Sequence, residues 1–360
     1  HTTKFQLPKY LITFATMVLV TGATGLVGSH LVLHLLENGD NVSAIYRSEK
    51  AIEKTRSIFQ LYKKEALFEK IHWLQADIND IPSLETAFQN IDYVYHCAAF
   101  ISFEPTDEEK IRKINIEGTA NIVNFCLAKG IKKLCYVSSI AALGDLPKQN
   151  LQDGATILNS INEETDWNPE KPHSDYAISK YGAEMEIWRG QQEGLNVVVV
   201  NPGVIFGPVP NSRDWKEGSG KIFTTVAKEN NYYTKGSTGF IAVNDVVKIM
   251  SLLMKSDIAA TRYVLVAENI IFQDLINTIA ESLNVKKPTA YAKKWMTEMA
   301  WRLDWFRAHL FFSKRKLSKA VARSLHTTDV YSNEKIKAEL GFEFAPVKRY
   351  IKEIATYYKS

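Results

Sequence analysis

Cysteine is scarce in this 360-residue chain: Cys97, Cys126 and Cys135 are the whole supply, an odd number with no CxxC spacing. That excludes the disulfide scaffold of small secreted domains and fits a reducing, cytoplasmic setting. A chain this long buries roughly three quarters of its unfolded surface and needs no covalent staple. An excess of one charge is missing too. Lys and Arg number 44 against 40 Asp and Glu, a net charge of +4, so the concentrated basic surface of a nucleic-acid binder is not expected. No stretch reaches the ~20 apolar residues of a membrane span, and no internal repeat or low-complexity tract stands out. The 8 histidines are scattered. His30 and His34 have zinc-ligand spacing, but HLVLH lacks the Glu of an HExxH motif, and no metal is expected.

What is present begins near the N-terminus. Lys4 and Lys9 followed by YLITFATMVLV superficially resemble a signal peptide, yet no small-residue cleavage site follows. Residues 1–16 are therefore read as a leader or extension outside the fold. MVLVT (17–21) has the composition of a buried strand, and Gly22, Gly25 and Gly28 punctuate the turn after it. An amphipathic segment from Leu26 to Glu37 stops at Asn38-Gly39, and VSAIY (42–46) reads as a second strand. Strand, glycine turn, helix, strand is the unit that seats a pyrophosphate on a helix N-terminus. With Thr21, the loop TGATGLVG resembles that of the extended branch of the short-chain dehydrogenase/reductase superfamily, the epimerase/dehydratase family. The resemblance implies cofactor contacts at Gly22, Thr24, Gly25, Leu26, Val27 and Gly28.

The end of the second strand selects the cofactor. NAD enzymes place a carboxylate here and NADP enzymes an Arg; this chain has Tyr46-Arg47-Ser48. Arg47 offers a fork of fixed charge for a 2′-phosphate, as in dihydroflavonol-reductase-like members, so NADP is expected, with NAD the alternative. IHWLQAD (71–77) and DYVYHCAAF (92–100) read as two further strands. The resemblance implies that Asp77 and Ile78 lie on the cofactor, Asp77 near the adenine. Ala98 and Ala99 would let it approach the strand end. His96 is read as a satisfied core residue.

Residues 107–129 carry a helical pattern that contains NIEGT (115–119), and KKLCYVSSIAALG (132–144) is a strand ending in two serines. In DYAISKYGAE (175–184), Tyr176 and Lys180 stand four apart on one helix face. A Tyr hydroxyl titrates near ~10, and an ammonium beside it would lower that value towards the range of general acid–base catalysis. The resemblance implies Ser139, Tyr176 and Lys180 as catalytic, with Asn115 in support.

LNVVVVNPGVIFGP (195–208) reads as a central buried strand, with Pro202 and Gly203 reaching the nicotinamide end. Nucleotide-sugar members of the family carry Asn where this chain has Val204, which favours the dihydroflavonol-reductase-like and hydroxysteroid-dehydrogenase-like side. Asp245 is read as a helix cap, and YSNEKIKAELGFEFAP (331–346) as a helix ending at Gly341. Residues 286–323 hold 11 Lys and Arg against two acids, with Trp295, Trp301 and Trp305 among them. They are read as helices packed on the lobe; a substrate lid and membrane contact are the alternatives.

The expected fold is α/β, a Rossmann-type doubly wound parallel sheet with a smaller mixed α/β substrate lobe. Residues 17–203 and 240–268 form the cofactor domain, and 204–239 with 269–360 the lobe. The expected function is an NADP-dependent oxidoreductase moving a hydride between nicotinamide and the carbonyl or secondary alcohol of a small or medium hydrophobic molecule. A nucleotide-sugar epimerase or dehydratase is the enzymatic alternative, and a non-catalytic NADP-sensing protein the other. Partners expected are a small-molecule substrate and, by family analogy, a second copy in a homodimer; nucleic acid and an integral membrane segment are not expected.

Overall fold

The structure is a computed structural model that describes residues 16–102, 104–146, 160–210, 215, 218–311, 315 and 317–359. Its strands in chain order begin with β1 (Met17–Thr21), β2 (Asn41–Tyr46), β3 (His72–Gln75), β4 (Tyr93–His96), β5 (Lys133–Val137) and β6 (Val197–Pro202). They continue with β7 (Val204–Phe206), β8 (Tyr232–Tyr233), β9 (Ser237–Ala242), β10 (Thr261–Leu265), β11 (Glu268–Ile271) and β12 (Ala290–Tyr291). Seven form one parallel sheet in the order β10-β6-β5-β4-β1-β2-β3. Parallel strands need crossovers, and where helices cover both faces the central strands are largely apolar and buried, as in β1 and β6. In β6 the alternation is clean. Val198 and Val200 join one apolar cluster with Leu31, Val246 and Leu253, while Val197 and Val199 join the other with Ile122, Val123 and Ile187.

Order reverses between β1 and β4. The chain leaves β1 for β2 and β3, then returns to pair β4 on β1's other edge. Crossovers diverging on either side open a crevice at the carboxyl ends of these two strands, where such sheets take their ligands.

The helix after the glycine turn spans Leu26–Glu37, as its pattern predicts, and Gly39 follows at φ 82°. The segment 107–129 is not one regular helix. Its helices Glu108–Arg112 and Gly118–Ala128 are joined by a single π turn, Lys113–Glu117, with Asn115 at its centre. Such turns arise where a side chain is pulled out of the regular ladder. Asp245 does not cap its helix. The helix starts at Val243, and the Asp245 carboxylate accepts instead from the backbone N–H of Ala345 at 2.7 Å. Burial raises its pKa, and the Ala345 bond opposes that.

A second sheet, β11-β9-β7, pairs β9 antiparallel with β11 and parallel with β7. Its core gathers Phe206, Phe223, Phe240, Ile279 and Ile351. The two sheets meet at Gly203, whose N–H donates to the Leu265 carbonyl at 3.0 Å. A Cβ there would fall 2.4 Å from the Gly239 carbonyl oxygen. The helix Glu334–Leu340 ends at Gly341 (φ 60°), as expected, and returns Ile336 to the first cluster.

The basic, tryptophan-rich segment departs from its expected packing. It forms the helix Lys294–Leu310, in which Thr297 is the one buried residue, while most of its large apolar side chains face outward. No helix among the described residues is long and apolar enough to cross a membrane.

Candidate active site

The crevice is floored by the glycine turn. Gly22 adopts the left-handed region (φ 68°), and a Cβ on it would lie 2.6 Å from the Ala98 nitrogen. At Gly28 a Cβ would fall 2.1 Å from the Gly22 carbonyl oxygen, so only glycine lets the helix close on its own turn. Gly25 is the N-cap of this helix; no side chain caps it, and its first turn holds no acid. The half-buried Leu26 and Val27 therefore start a helix whose amides and dipole suit an anion. Thr24 sits half-buried within the turn.

Arg47 directly follows β2, with its guanidinium 4.0 Å from the Asp77 carboxylate. Both side chains are exposed, so the pair is weak. Asp77 also accepts from the Asn79 N–H at 3.0 Å, and Ile78 is buried against Gly118, where a Cβ would meet it at 2.5 Å. Ala98 donates its N–H to the Thr21 hydroxyl at 3.2 Å, and Ala99 beside it is exposed. His96 is buried between the Thr21 hydroxyl (2.7 Å) and the Thr119 hydroxyl (3.0 Å). Burial, with the Lys180 charge adding to it, lowers its pKa to about 3. It is a neutral core residue, as its sequence context suggests.

At the end of β5 the two serines part. Ser138 donates to the Glu184 carboxylate at 2.6 Å. Ser139 caps the short turn Ile140–Ala142, accepting from the Ala141 N–H at 3.1 Å, and hydrogen-bonds Tyr176. Tyr176 lies in the first turn of the helix Asp175–Gln192, capped by the Ser174 hydroxyl, and Lys180 follows one turn on. Asn115 is buried; its carbonyl oxygen accepts from the Phe100 N–H (2.7 Å), and its amide donates to the Phe100 carbonyl (3.0 Å) and the Ser179 hydroxyl (2.9 Å). These bonds staple the π turn to the helix Asp175–Gln192 and to the strand end after β4. Pro202 closes β6, and Asn201 before it donates to the Ser139 carbonyl at 3.1 Å, so that Pro202 and Gly203 adjoin this face.

One expectation needs correction. Lys180 does not lower the Tyr176 pKa here: burial raises it, with the Ser139 bond opposing. The Lys180 amine instead donates to the Tyr136 hydroxyl and the Val137 carbonyl, both at 2.8 Å. Only 2% of Lys180 is exposed, and burial lowers its pKa to about 7, with the Glu184 carboxylate partly offsetting that.

Sequence reasoning missed Tyr136, Glu184, Asn201 and Arg262. Glu184 is fully buried and accepts from Ser138, from Asn201 (2.9 Å) and from Arg262 (3.0 Å). Its spacing was a usable signal, because Tyr176, Lys180 and Glu184 repeat every four residues along one helix stripe.

The model of the NAD dependent epimerase/dehydratase family matches residues 18–265. The chain belongs to that family. This family member is 27% identical over 358 residues to a putative dihydroflavonol 4-reductase of Synechocystis sp., covering 97% of this chain and 96% of that one. It is 30% identical over 267 residues to anthocyanidin reductase of Arabidopsis thaliana, covering 69% and 75%. Its fold is similar to that of yeast methylglyoxal/isovaleraldehyde reductase, solved with NADPH, at a TM-score of 0.70, 22% identity and coverages of 95% and 98%. It is thus an NAD(P)-dependent oxidoreductase of the extended short-chain type, with a nicotinamide cofactor. The close Gly22–Ala98 approach and the uncapped helix start fit that cofactor.

Proposed function

We propose that the enzyme is NADP-dependent and interconverts the carbonyl and secondary alcohol of a small or medium hydrophobic substrate. The observation that carries this is the placement of Ser139 beside Tyr176 at the carboxyl end of β5, with Lys180 buried one turn behind. Gly22, Thr24, Gly25, Leu26, Val27 and Gly28 would hold the pyrophosphate, and Arg47 the 2′-phosphate. Asp77, Ile78, Ala98 and Ala99 would line the adenosine side, and Pro202 and Gly203 the nicotinamide end. Bound there, the cofactor supplies or accepts a hydride at the carbonyl carbon. Tyr176 gives a proton to the carbonyl oxygen or takes one from the alcohol, and burial keeps it in the protonated form at neutral pH, the form that the reductive direction needs. Ser139 orients the oxygen. Lys180, titrating at about 7, resupplies or stores charge beside Tyr176, and Asn115 fixes the helix that carries both. Val204, half-buried at the start of β7, replaces the amide that a nucleotide-sugar substrate would require. The family resemblance supports a homodimer through the helices bearing Asn115 and Tyr176.

The test is NADPH and NADH consumption across aldehydes, ketones, flavonoids and steroids, beside Tyr176→Phe and Arg47→Ser. We expect NADPH preference, a loss of about 10²–10⁴ in kcat for Tyr176→Phe with cofactor binding retained, and loss of the NADPH preference in Arg47→Ser. An NADH preference would overturn the Arg47 assignment. Undiminished turnover in Tyr176→Phe would overturn the proton route.

A further inference from the structure

The helix Lys294–Leu310 turns one stripe to solvent: Trp295, Met299, Leu303, Phe306 and Leu310, each between 52% and 65% exposed. Their spacings of four, four, three and four residues keep them on one face. The stripe is not a fold face that lost its cover, because the helix is held from elsewhere. Thr297 bonds His326 at 2.8 Å, and the Leu317 N–H donates to Asp304 at 3.0 Å. The chain following the helix Lys319–Ser324 ties the assembly to β9 through Gly236→Leu325 and Ser237→Thr327 backbone bonds.

Charge decides what the stripe meets. Residues 286–323 carry 11 Lys and Arg and only two acids, which leaves 33 basic against 38 acidic residues in the rest of the chain. Both acids pair with arginines of the same segment, Glu298 with Arg302 at 2.8 Å and Asp304 with Arg307 at 2.9 Å. The near-neutral chain is therefore polarised, with this segment strongly positive and the remainder net negative. Exposed Lys293 and Lys294 stand at the start of the helix, next to Trp295. Two copies joined symmetrically through this face would set surplus cations against each other. An acidic surface with an apolar interior satisfies both features at once.

We propose that this helix is the docking face for an anionic lipid bilayer, lying in the plane of the headgroups. Trp295, Met299, Leu303, Phe306 and Leu310 enter the headgroup–acyl boundary, and the flanking lysines and arginines meet lipid phosphates and carboxylates. Attachment is peripheral and reversible, and the net-negative remainder of the molecule is held away from the membrane by the same field.

The test uses the full chain and phosphatidylcholine vesicles with and without phosphatidylserine. It reads sedimentation with vesicles and tryptophan emission, to which Trp295, Trp301 and Trp305 contribute three of seven residues. We expect binding with a blue shift on the anionic vesicles alone, falling steeply as salt rises. The double substitution Leu303→Ser, Phe306→Ser should weaken it about tenfold or more, and Lys293→Gln with Lys294→Gln should weaken it most at low salt. All four residues are exposed, so the thermal midpoint should hold and separate lost docking from lost folding. Absence of binding at low salt, equal binding to neutral vesicles, or indifference to these substitutions would overturn the proposal. So would a concentration-dependent dimer that Leu303→Ser, Phe306→Ser abolishes without any vesicle binding, which would give the face to a second copy. No readout depends on turnover, so the catalytic reading stands or falls separately.

Discussion

At the scale of single residues, Lys180 sets burial against charge. Its amine is held by a Tyr hydroxyl and a carbonyl, which satisfy two of its protons without neutralising it, and burial brings its pKa down to about 7. Between that value and the ordinary Lys range the unfolded chain binds the extra proton and the native state does not, so its contribution to stability rises with pH across this window. Below about 7 the charged amine is buried and the cost is present in full. We expect the cofactor-free enzyme to show this slope in its urea midpoint, and Lys180→Met to flatten it; parallel profiles would contradict the assignment. At this scale the Tyr176–Lys180 pair and Ser139 were legible because a fixed spacing on a helix and a strand end carry them. Tyr136 was not, because a contact spanning 44 residues depends on how helix and strand pack. For the same reason the sign of the Tyr176 shift could not be read from its distance to Lys180 along the chain.

At the scale of elements, the glycine-turn helix was readable to its last residue, since strand, glycines, apolar periodicity and the Asn38-Gly39 stop agree. Gly28 is the position where that agreement is tightest. A methyl group there cannot be accommodated without displacing the Gly22 carbonyl. Gly28→Ala should cost about 1–3 kcal/mol in the cofactor-free protein, measured as a urea midpoint, and weaken cofactor binding beyond that loss. Retained affinity would show that the helix start does not hold the pyrophosphate. The π turn at Lys113–Glu117 was invisible by contrast. Its register is set by the Asn115 bonds to Phe100 and Ser179, partners 15 and 64 residues away, and no local pattern encodes them. Only the presence of Asn and Gly inside a helical pattern, where propensity disfavours both, marked the place.

At the scale of the molecule, strand–helix alternation, the glycine turn and the family resemblance together predicted a doubly wound sheet. The segment 286–323 resisted reading because the apolar stripe of its helix stays exposed among the described residues, where the pattern alone suggests a packed face. The chain crosses repeatedly between the two sheets: from β6 to β7, from β9 to β10, then to β11, and back again with Ile336. No boundary can open without breaking several of these crossings, and Gly203 and Gly239 lie in backbone contact at the junction. We expect the two sheets to unfold together, with far-ultraviolet ellipticity and tryptophan emission following one transition in urea. Gly203→Ala should shift that single transition rather than split it, and two separated transitions would show the sheets to be independent.

The reversal of strand order at the crevice also sets a timetable on the ribosome. β1, β2 and β3 emerge first, while β1's remaining edge waits for β4, whose His96 lies 75 residues after Thr21. At roughly 5–20 residues per second this leaves a bare apolar edge for about 4–15 s, and β6 and β10 lengthen the wait for the rest of the sheet. An unpaired, flat, hydrophobic edge is a template for foreign strands. The geometry that creates the ligand crevice therefore leaves one edge of the growing sheet open to foreign strands until β4 is made.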